Sequence, residues 1–152
     1  PLINITLQGR HDTYPKRRGM TRVPELMDAG IKVAFGHDCV MDPWYSLGSA
    51  DMLEVASMGL HLAQMTGVEQ MKACFQAITE VPAAILGLEG YGLEEGCNAD
   101  LVILQAKDAV EALRLKANRL FVIRRGKVIS TSPPAESHLN LPGRPKIQNY
   151  IF

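Results

Sequence analysis

Ile3, Ile5 and Leu7 alternate with Asn4, Thr6 and Gln8, a period-two pattern that predicts a strand. The run then breaks at Gly9 into a polar, basic stretch, His11 to Gly19, which predicts a loop. Thr21 to Ala29 predicts a short helix with Thr21 as N-cap, Glu25 in its first turn and Gly30 as its stop; Ile31 to Phe35 then resumes as a β-branched and aromatic strand. Strand, loop, helix and strand in that order describe a parallel β/α unit. Along the second strand Lys32, Ala34, Gly36 and Asp38 share one face, while Ile31, Val33 and Phe35 share the other. The bulky face is expected against helices. The small face, ending in Asp38, is expected to point into a barrel or cleft at the carboxyl end of the strand, where α/β folds place their chemistry.

After a loop from Val40 to Gly48, Ser49 is the expected cap of a helix reaching Met65, with Asp51 and Glu54 in its first turn and apolar residues nearly all round it, the mark of burial on most sides. Further helices are expected from about Val68 to Ile78 and from Pro82 to Leu86, the second stopped by Gly87. From Glu89 the texture changes. Gly90, Gly92 and Gly96 punctuate turns, Leu101 to Leu104 reads as a strand, and Ala109 to Ala117 reads as a helix. Leu120 to Ile123 and Val128 to Ile129 flank a turn at Arg125-Gly126-Lys127 and predict a hairpin, after which Pro133, Pro134, Pro142 and Pro145 preclude regular structure. The pattern is that of an α/β chain with a boundary near Leu88, dividing it into residues 1–88 and 89–152, and with no internal repeat.

Composition narrows the choice of partner. The chain has 152 residues, with 16 Lys plus Arg against 16 Asp plus Glu, so no overall attraction to nucleic acid or an anionic membrane is expected, and a small-molecule partner fits better. No apolar run has the roughly 18 residues of a membrane span, and Pro1-Leu2-Ile3-Asn4 lacks the basic start of a secretory signal, so a cytoplasmic protein is expected. Cys39, Cys74 and Cys97 form no Cys-x-x-Cys pair, which signals neither a disulfide framework nor a thiolate zinc site.

The sharpest constellation is Phe35-Gly36-His37-Asp38 followed by Asp42-Pro43-Trp44. A carboxylate at the mouth of parallel strands can ligate a divalent metal and take a proton from metal-bound water; it can equally cap the next turn. His37 has the opposite strand parity to Asp38, so it fits a hydrogen-bonded supporting or packing role better than direct ligation. Trp44 can stack on a planar heterocycle or fill the barrel mouth. The four histidines, His11, His37, His61 and His138, show neither a His-x-His nor a His-x-x-x-His spacing, so this chain alone does not spell out a metal site. His61 is expected in the core and His138 in solvent. Lys16-Arg17-Arg18 is expected as a solvated loop or, less simply, as a contact for an anion or another subunit.

In series, Gly36-His37-Asp38, Thr79 to Leu88 (TEVPAAILGL), Leu93 to Leu104 (LEEGCNADLVIL) and Arg125-Gly126-Lys127-Val128 resemble the carboxyl-terminal part of a metal-dependent amidohydrolase. Within that superfamily Leu7-Gln8-Gly9-Arg10, Asp12 to Gly19 (DTYPKRRG), His37-Asp38 and Asp42-Pro43-Trp44-Tyr45 look like bacterial cytosine deaminase, with the similarity running through essentially the whole chain. The resemblance implies a (β/α)₈ barrel beside a small β-sandwich. At about 31 residues per β/α unit, residues 1–88 hold the last two units of the barrel, and residues 89–152 hold the carboxyl-terminal sandwich segment and tail. On that reading the chain is a fragment of the family's length, and alone it leaves strand edges unpaired.

The resemblance also implies the chemistry: metal-assisted hydrolysis of cytosine, or of 5-methylcytosine, to uracil or thymine and ammonia. Asp38 corresponds to the family's aspartate that ligates the metal, iron or zinc, and moves the water's proton; the remaining ligands, and the family's proton-shuttling glutamate and pyrimidine-reading glutamine, have no counterpart on this chain. Trp44 corresponds to a wall of the pyrimidine pocket. Beside the ligand aspartate, the best-known cytosine deaminases carry a second acidic residue near the pyrimidine pocket, where this chain has Cys39. A thiol tolerates a neighbouring methyl group better than a carboxylate does, so Cys39 is expected to contact substrate and relax the pocket toward 5-substituted cytosines. A homo-oligomer is expected from the family. The competing readings are a non-catalytic fragment or assembly module, and an amidohydrolase of another cyclic amidine or amide.

Overall fold

A computed structural model describes residues 1–17 and 19–144, so Arg18 of the basic run and Pro145 of the tail lie outside the described residues. Its elements are α1 (Leu2–Leu7), α2 (Val23–Asp28), α3 (Met52–Leu62), α4 (Val68–Gln76), α5 (Glu80–Ile85), β1 (Leu101–Leu104), α6 (Ala109–Leu115), β2 (Arg119–Arg124) and β3 (Lys127–Thr131).

The first apolar run is therefore a helix and not the expected strand. Ile5 N–H donates to the Pro1 carbonyl at 3.1 Å, Gln8 N–H to that of Asn4 at 2.9 Å, and the Thr6 hydroxyl to that of Leu2 at 2.9 Å. Over six residues the two periods are not distinct: Leu2 and Ile5 stand three apart and Ile3 and Leu7 four apart, the spacing of one helix face. Leu2 and Ile3 are buried.

Ile31 to Phe35 is the second departure. The segment 31–39 joins no ladder among the described residues; Phe35 N–H donates to the Ala77 carbonyl at 2.8 Å. A parallel strand needs neighbouring strands to bond with, and none is present among the described residues. The alternation nonetheless governs burial. Phe35 and His37 are buried and Val33 half-buried, whereas Lys32, Ala34, Gly36 and Asp38 are exposed; Ile31, at the start, is exposed too. Helix packing sets this pattern: the Phe35 ring lies on Gly59 of α3, where a Cβ would come within 2.7 Å of it.

The helix ends differ from expectation in detail. Arg22, not Thr21, precedes α2, because Pro24 needs no N–H partner and takes a place in the first turn. Gly30 does close α2, with Ile31 N–H on the Leu26 carbonyl at 2.9 Å. Asp51, not Ser49, caps α3, accepting from Leu53 N–H at 2.9 Å, since the left-handed Ala50 (φ 58°) separates Ser49 from the helical course. That helix stops at Leu62, three residues short of Met65, through a Met65 N–H bond to the Leu60 carbonyl at 2.8 Å. At α5 the helix begins at Glu80, two residues before Pro82, which again needs no donor there.

β1, β2 and β3 form one antiparallel sheet in that order, pairing Leu101 with Ile123 and Phe121 with Thr131. The expected hairpin is present. Arg125 and Gly126 (φ 46° and 75°) make its two-residue turn, and Arg125 N–H reaches back to Asp100 Oδ1 at 2.7 Å. Neither a closed barrel, a parallel strand pair nor a second sheet is present among the described residues, so the fold is a partial α/β arrangement of helices with a small antiparallel sheet. Its core lies where α3, α4 and α6 meet, with Val55, Cys74 and Leu113 at most 1 % exposed. Asp108 caps α6 by accepting from Glu111 N–H at 2.8 Å. No helix among the described residues is long and apolar enough to cross a membrane.

Candidate active site

Segment 31–48 leaves the core at Phe35 and turns sharply at Asp38, whose φ of 67° is left-handed. For a residue other than glycine that conformation costs about 1–2 kcal/mol, so the kink persists only because its surroundings hold it. His37 is one such hold. It is 9 % exposed, and its Nδ1–H donates to the Cys39 carbonyl at 2.9 Å, so the ring bridges the kink from one side to the other. Gly48 is another. A Cβ there would collide with the Cys39 carbonyl and lie 2.7 Å from Val40 Cα and 2.9 Å from His37 Cε1, so only glycine lets the end of the loop return against its beginning.

Asp42 organises the tip. Its Oδ1 accepts from the N–H groups of Trp44 and Tyr45, both at 3.0 Å, and its own N–H donates to the Tyr45 carbonyl at 3.4 Å. Burial alone would raise its pKa, but hydrogen bonds from the Tyr45 amide, the Cys39 thiol and the Trp44 and Val40 amides outweigh it and hold the carboxyl below its usual value. The same carboxylates act oppositely on Cys39. Burial, the hydrogen bond to Asp42 and the charges of Asp38 and Asp42 push its thiol up to about 11, and its Sγ lies 3.7 Å from Asp38 Oδ1. At neutral pH Cys39 is an uncharged donor between two carboxylates.

Asp38 lines a cavity of about 820 Å³ whose other walls come from α1, Gln8, Met20, Val23 and residues 33–36. Of the three predicted site residues, Asp38 alone lines this space. Cys39 is half-buried beside it, and the Trp44 indole is 69 % exposed at the loop tip. Asp42 and Gly48 escaped the sequence reading as supports of the loop. The Asp-Pro-Trp turn signal was present for the first, but no local signal marks a glycine whose partner lies nine residues earlier.

Among the described residues no group of three or more His, Cys, Asp and Glu side chains could hold a metal ion. Asp38 offers one oxygen donor, while the Cys39 thiol is protonated; His37 gives its Nδ1–H to a carbonyl, and its other nitrogen, Nε2, is buried without a hydrogen-bond partner and belongs to no ligand cluster among the described residues. These residues fit one place in a ligand set and not a whole set. His61, expected in the core, is exposed on the outer face of α3, its Nδ1 bonded to the Ser57 carbonyl at 2.6 Å, because the inward positions are taken by Val55, Ala56, Gly59 and Leu60. His138 is exposed in the tail, 3.5 Å from Glu136, as expected. Within the basic run, Arg17 pairs with Asp12 at 2.9 Å and Lys16 Nζ donates to the Arg10 carbonyl at 2.7 Å, contacts that fold the loop on itself.

Residues 1–131 match the amidohydrolase family. The chain belongs to that family. It is similar to the crystal structure of 5-methylcytosine deaminase from Klebsiella pneumoniae liganded with 5-fluorocytosine, with a TM-score of 0.84 and 43% identity over 95% of this chain and 35% of that one. It is 34% identical to the pterin deaminase of Rhizobium rhizogenes (strain K84 / ATCC BAA-868) over 88% of this chain and 31% of that protein. It is 32% identical to the N-isopropylammelide isopropyl amidohydrolase of Pseudomonas sp. (strain ADP) over 70% of this chain and 27% of that protein. The chain thus spans about a third of the length of the relatives it matches. Both the superfamily and the cytosine-deaminase-like character read from the motifs are upheld by these similarities.

Proposed function

We propose that this chain is the carboxyl-terminal portion of a cytosine-deaminase-like aminohydrolase, which hydrolyses the exocyclic C–N bond of cytosine or 5-methylcytosine and releases ammonia. The observation that carries this reading is the placement of Asp38. A single carboxylate, held at a left-handed kink, faces a cavity large enough for a pyrimidine, in a chain 43% identical to a 5-methylcytosine deaminase. Residues 1–88 would contribute the last two units of a (β/α)₈ barrel, and residues 89–152 a segment of a small β-sandwich and the tail. The full protein would work as a homo-oligomer.

Asp38 would hold a divalent cation, iron or zinc, with the other ligands supplied from outside this chain. Such a cation supplies a bound water of lowered pKa. Asp38 Oδ1 and Oδ2 are acceptors that take the proton from the attacking water and pass it to the departing amine, a general acid–base role. Cys39, an uncharged thiol, would face the ring's 5-position without the desolvation a carboxylate suffers beside a methyl group. Trp44 would close over the flat face of the ring.

The similarity to a pterin deaminase favours one second reading, a bicyclic amidine in the same site. Amine release by the full-length gene product, ammonia from cytosine, 5-methylcytosine and pterin and isopropylamine from N-isopropylammelide, tests both. The two pyrimidines are expected to be the preferred substrates, with 5-methylcytosine at least equal to cytosine. Preference for pterin, or release from none of them, overturns the proposal.

A further inference from the structure

The imidazole of His37, beside Asp38 in sequence, is buried and bonds across it to the Cys39 carbonyl. We propose that His37 is a positioning residue: its Nδ1–H bond to the Cys39 carbonyl, closed from behind by Gly48, fixes the kink that aims Asp38 into the cavity. The catalytic consequence rests on the aminohydrolase reading above; the effect on the loop does not.

Three observations point the same way. The hydrogen bond joins residue 37 to residue 39 and therefore spans the one left-handed residue between them, Asp38 at φ 67°. A carbonyl oxygen only accepts, so Nδ1 carries the proton and the ring is the donor. The ring is also wedged. Its Cε1 lies where a Cβ on residue 48 would come within 2.9 Å, so Gly48 admits the imidazole and the returning chain together. Finally, the two ends of the loop meet at this ring, while Asp42 orders only the tip between them through the amides of Trp44 and Tyr45. Removing the donor would leave that tip intact and free the kink.

Two substitutions separate positioning from packing. His37→Leu keeps the volume and loses the donor; His37→Asn keeps a donor at the position of Nδ1 and loses volume. Both are made in the full-length gene product, with Gly48→Ala as an attack on the same contact from the other side. Peptide-resolved hydrogen exchange across residues 38–48 is the readout that does not depend on activity. His37→Leu and Gly48→Ala are expected to speed exchange there by about tenfold or more, with His37→Asn staying close to the parent. In deamination the expectation is a fall in kcat of about a hundredfold for His37→Leu, and a kcat within about threefold of the parent with bound metal retained for His37→Asn.

The reverse order, Asn damaging and Leu harmless, makes His37 a packing residue and overturns the proposal. So does unchanged exchange in His37→Leu, or metal lost together with activity in both His37 variants, which makes the ring a ligand. Should the parent deaminate none of the pyrimidines while the exchange pattern follows expectation, the substrate reading falls and the positioning of Asp38 by His37 stands.

Discussion

The site loop and the three-stranded sheet solve the same backbone problem in opposite ways. β1, β2 and β3 satisfy one another within thirty-odd residues through two antiparallel ladders and a two-residue turn. Segment 31–48 has no ladder among the described residues and relies instead on side chains: Phe35 against Gly59, His37 on the Cys39 carbonyl, and Asp42 on the amides of Trp44 and Tyr45. A ladder is rigid but displays side chains only in alternation, up and down. A loop tied by side chains can turn a carboxylate such as Asp38 out of register and into a cavity, at the cost of depending on each tie. On the proposed reading the chemistry lies on the loop and the sheet supports it.

Leu113 of α6 is 1 % exposed where α6 packs on α3 and α4, in the core that also holds Phe35 of the loop segment and against which Leu104 of β1 packs. Leu113→Ala is expected to cost about 2–5 kcal/mol in urea unfolding. If the regions share one core, the loss appears as a single transition that moves the sheet and the loop together; two separate transitions would split the comparison into independent units. A smaller effect is expected at Cys39. Replacing it with Asp should lower the ratio of 5-methylcytosine to cytosine turnover by about tenfold, or ~1.4 kcal/mol of discrimination. An unchanged ratio would make Cys39 neutral for substrate choice.

Gly126→Val places a β-branched side chain at a left-handed turn position and should destabilise the protein by about 1–2 kcal/mol without changing KM, because the sheet is support. A change in KM would bring the sheet into the site. The thiol chemistry of the loop gives a subtler contrast. With its thiol raised from 9.0 to about 11 by burial and the two carboxylates, Cys39 in metal-stripped protein carries about a hundredfold less thiolate at pH 8 than an unperturbed thiol, and alkylation by iodoacetamide should be slowed in proportion. Labelling at the unperturbed rate would mean that Asp38 and Asp42 do not flank it.

The smallest effect concerns acid. Asp42 is held below its ordinary value of 3.8, so its ties to the loop are complete above that pH and are lost as pH falls through the lowered folded value. Hydrogen exchange at Trp44 and Tyr45, corrected for its intrinsic pH dependence, should accelerate below about pH 4, and Asp42→Asn should abolish that acid step. An acid step that survives in the Asn variant would assign it to another carboxylate.

How much of this was legible in the sequence follows the same division. The hairpin, the strand Leu101 to Leu104 and the helix from Ala109 were readable because their signals are local: a turn at Arg125-Gly126, short apolar runs, and Asp108 as a cap. The alternation in 32–38 correctly sorted buried from exposed side chains, yet the strand itself did not form, since its hydrogen bonds depend on neighbours that periodicity cannot supply. In 2–7 the error was one of period, for six residues satisfy both spacings. Asp38 was legible as a candidate from its place at the end of a run; the kink that aims it was not, because it is fixed by the His37 ring and by Gly48, contacts that exist only once the loop has folded back.

The most direct test of the claim that the chemistry lies on the loop is steady-state ammonia release from 5-methylcytosine by the full-length gene product, comparing Asp38→Asn with Val128→Ala, a change at an exposed position of the sheet. Asp38→Asn is expected to lose about 10²–10⁴-fold in kcat and Val128→Ala to keep parental activity. Asp38→Asn retaining parental kcat would contradict that claim.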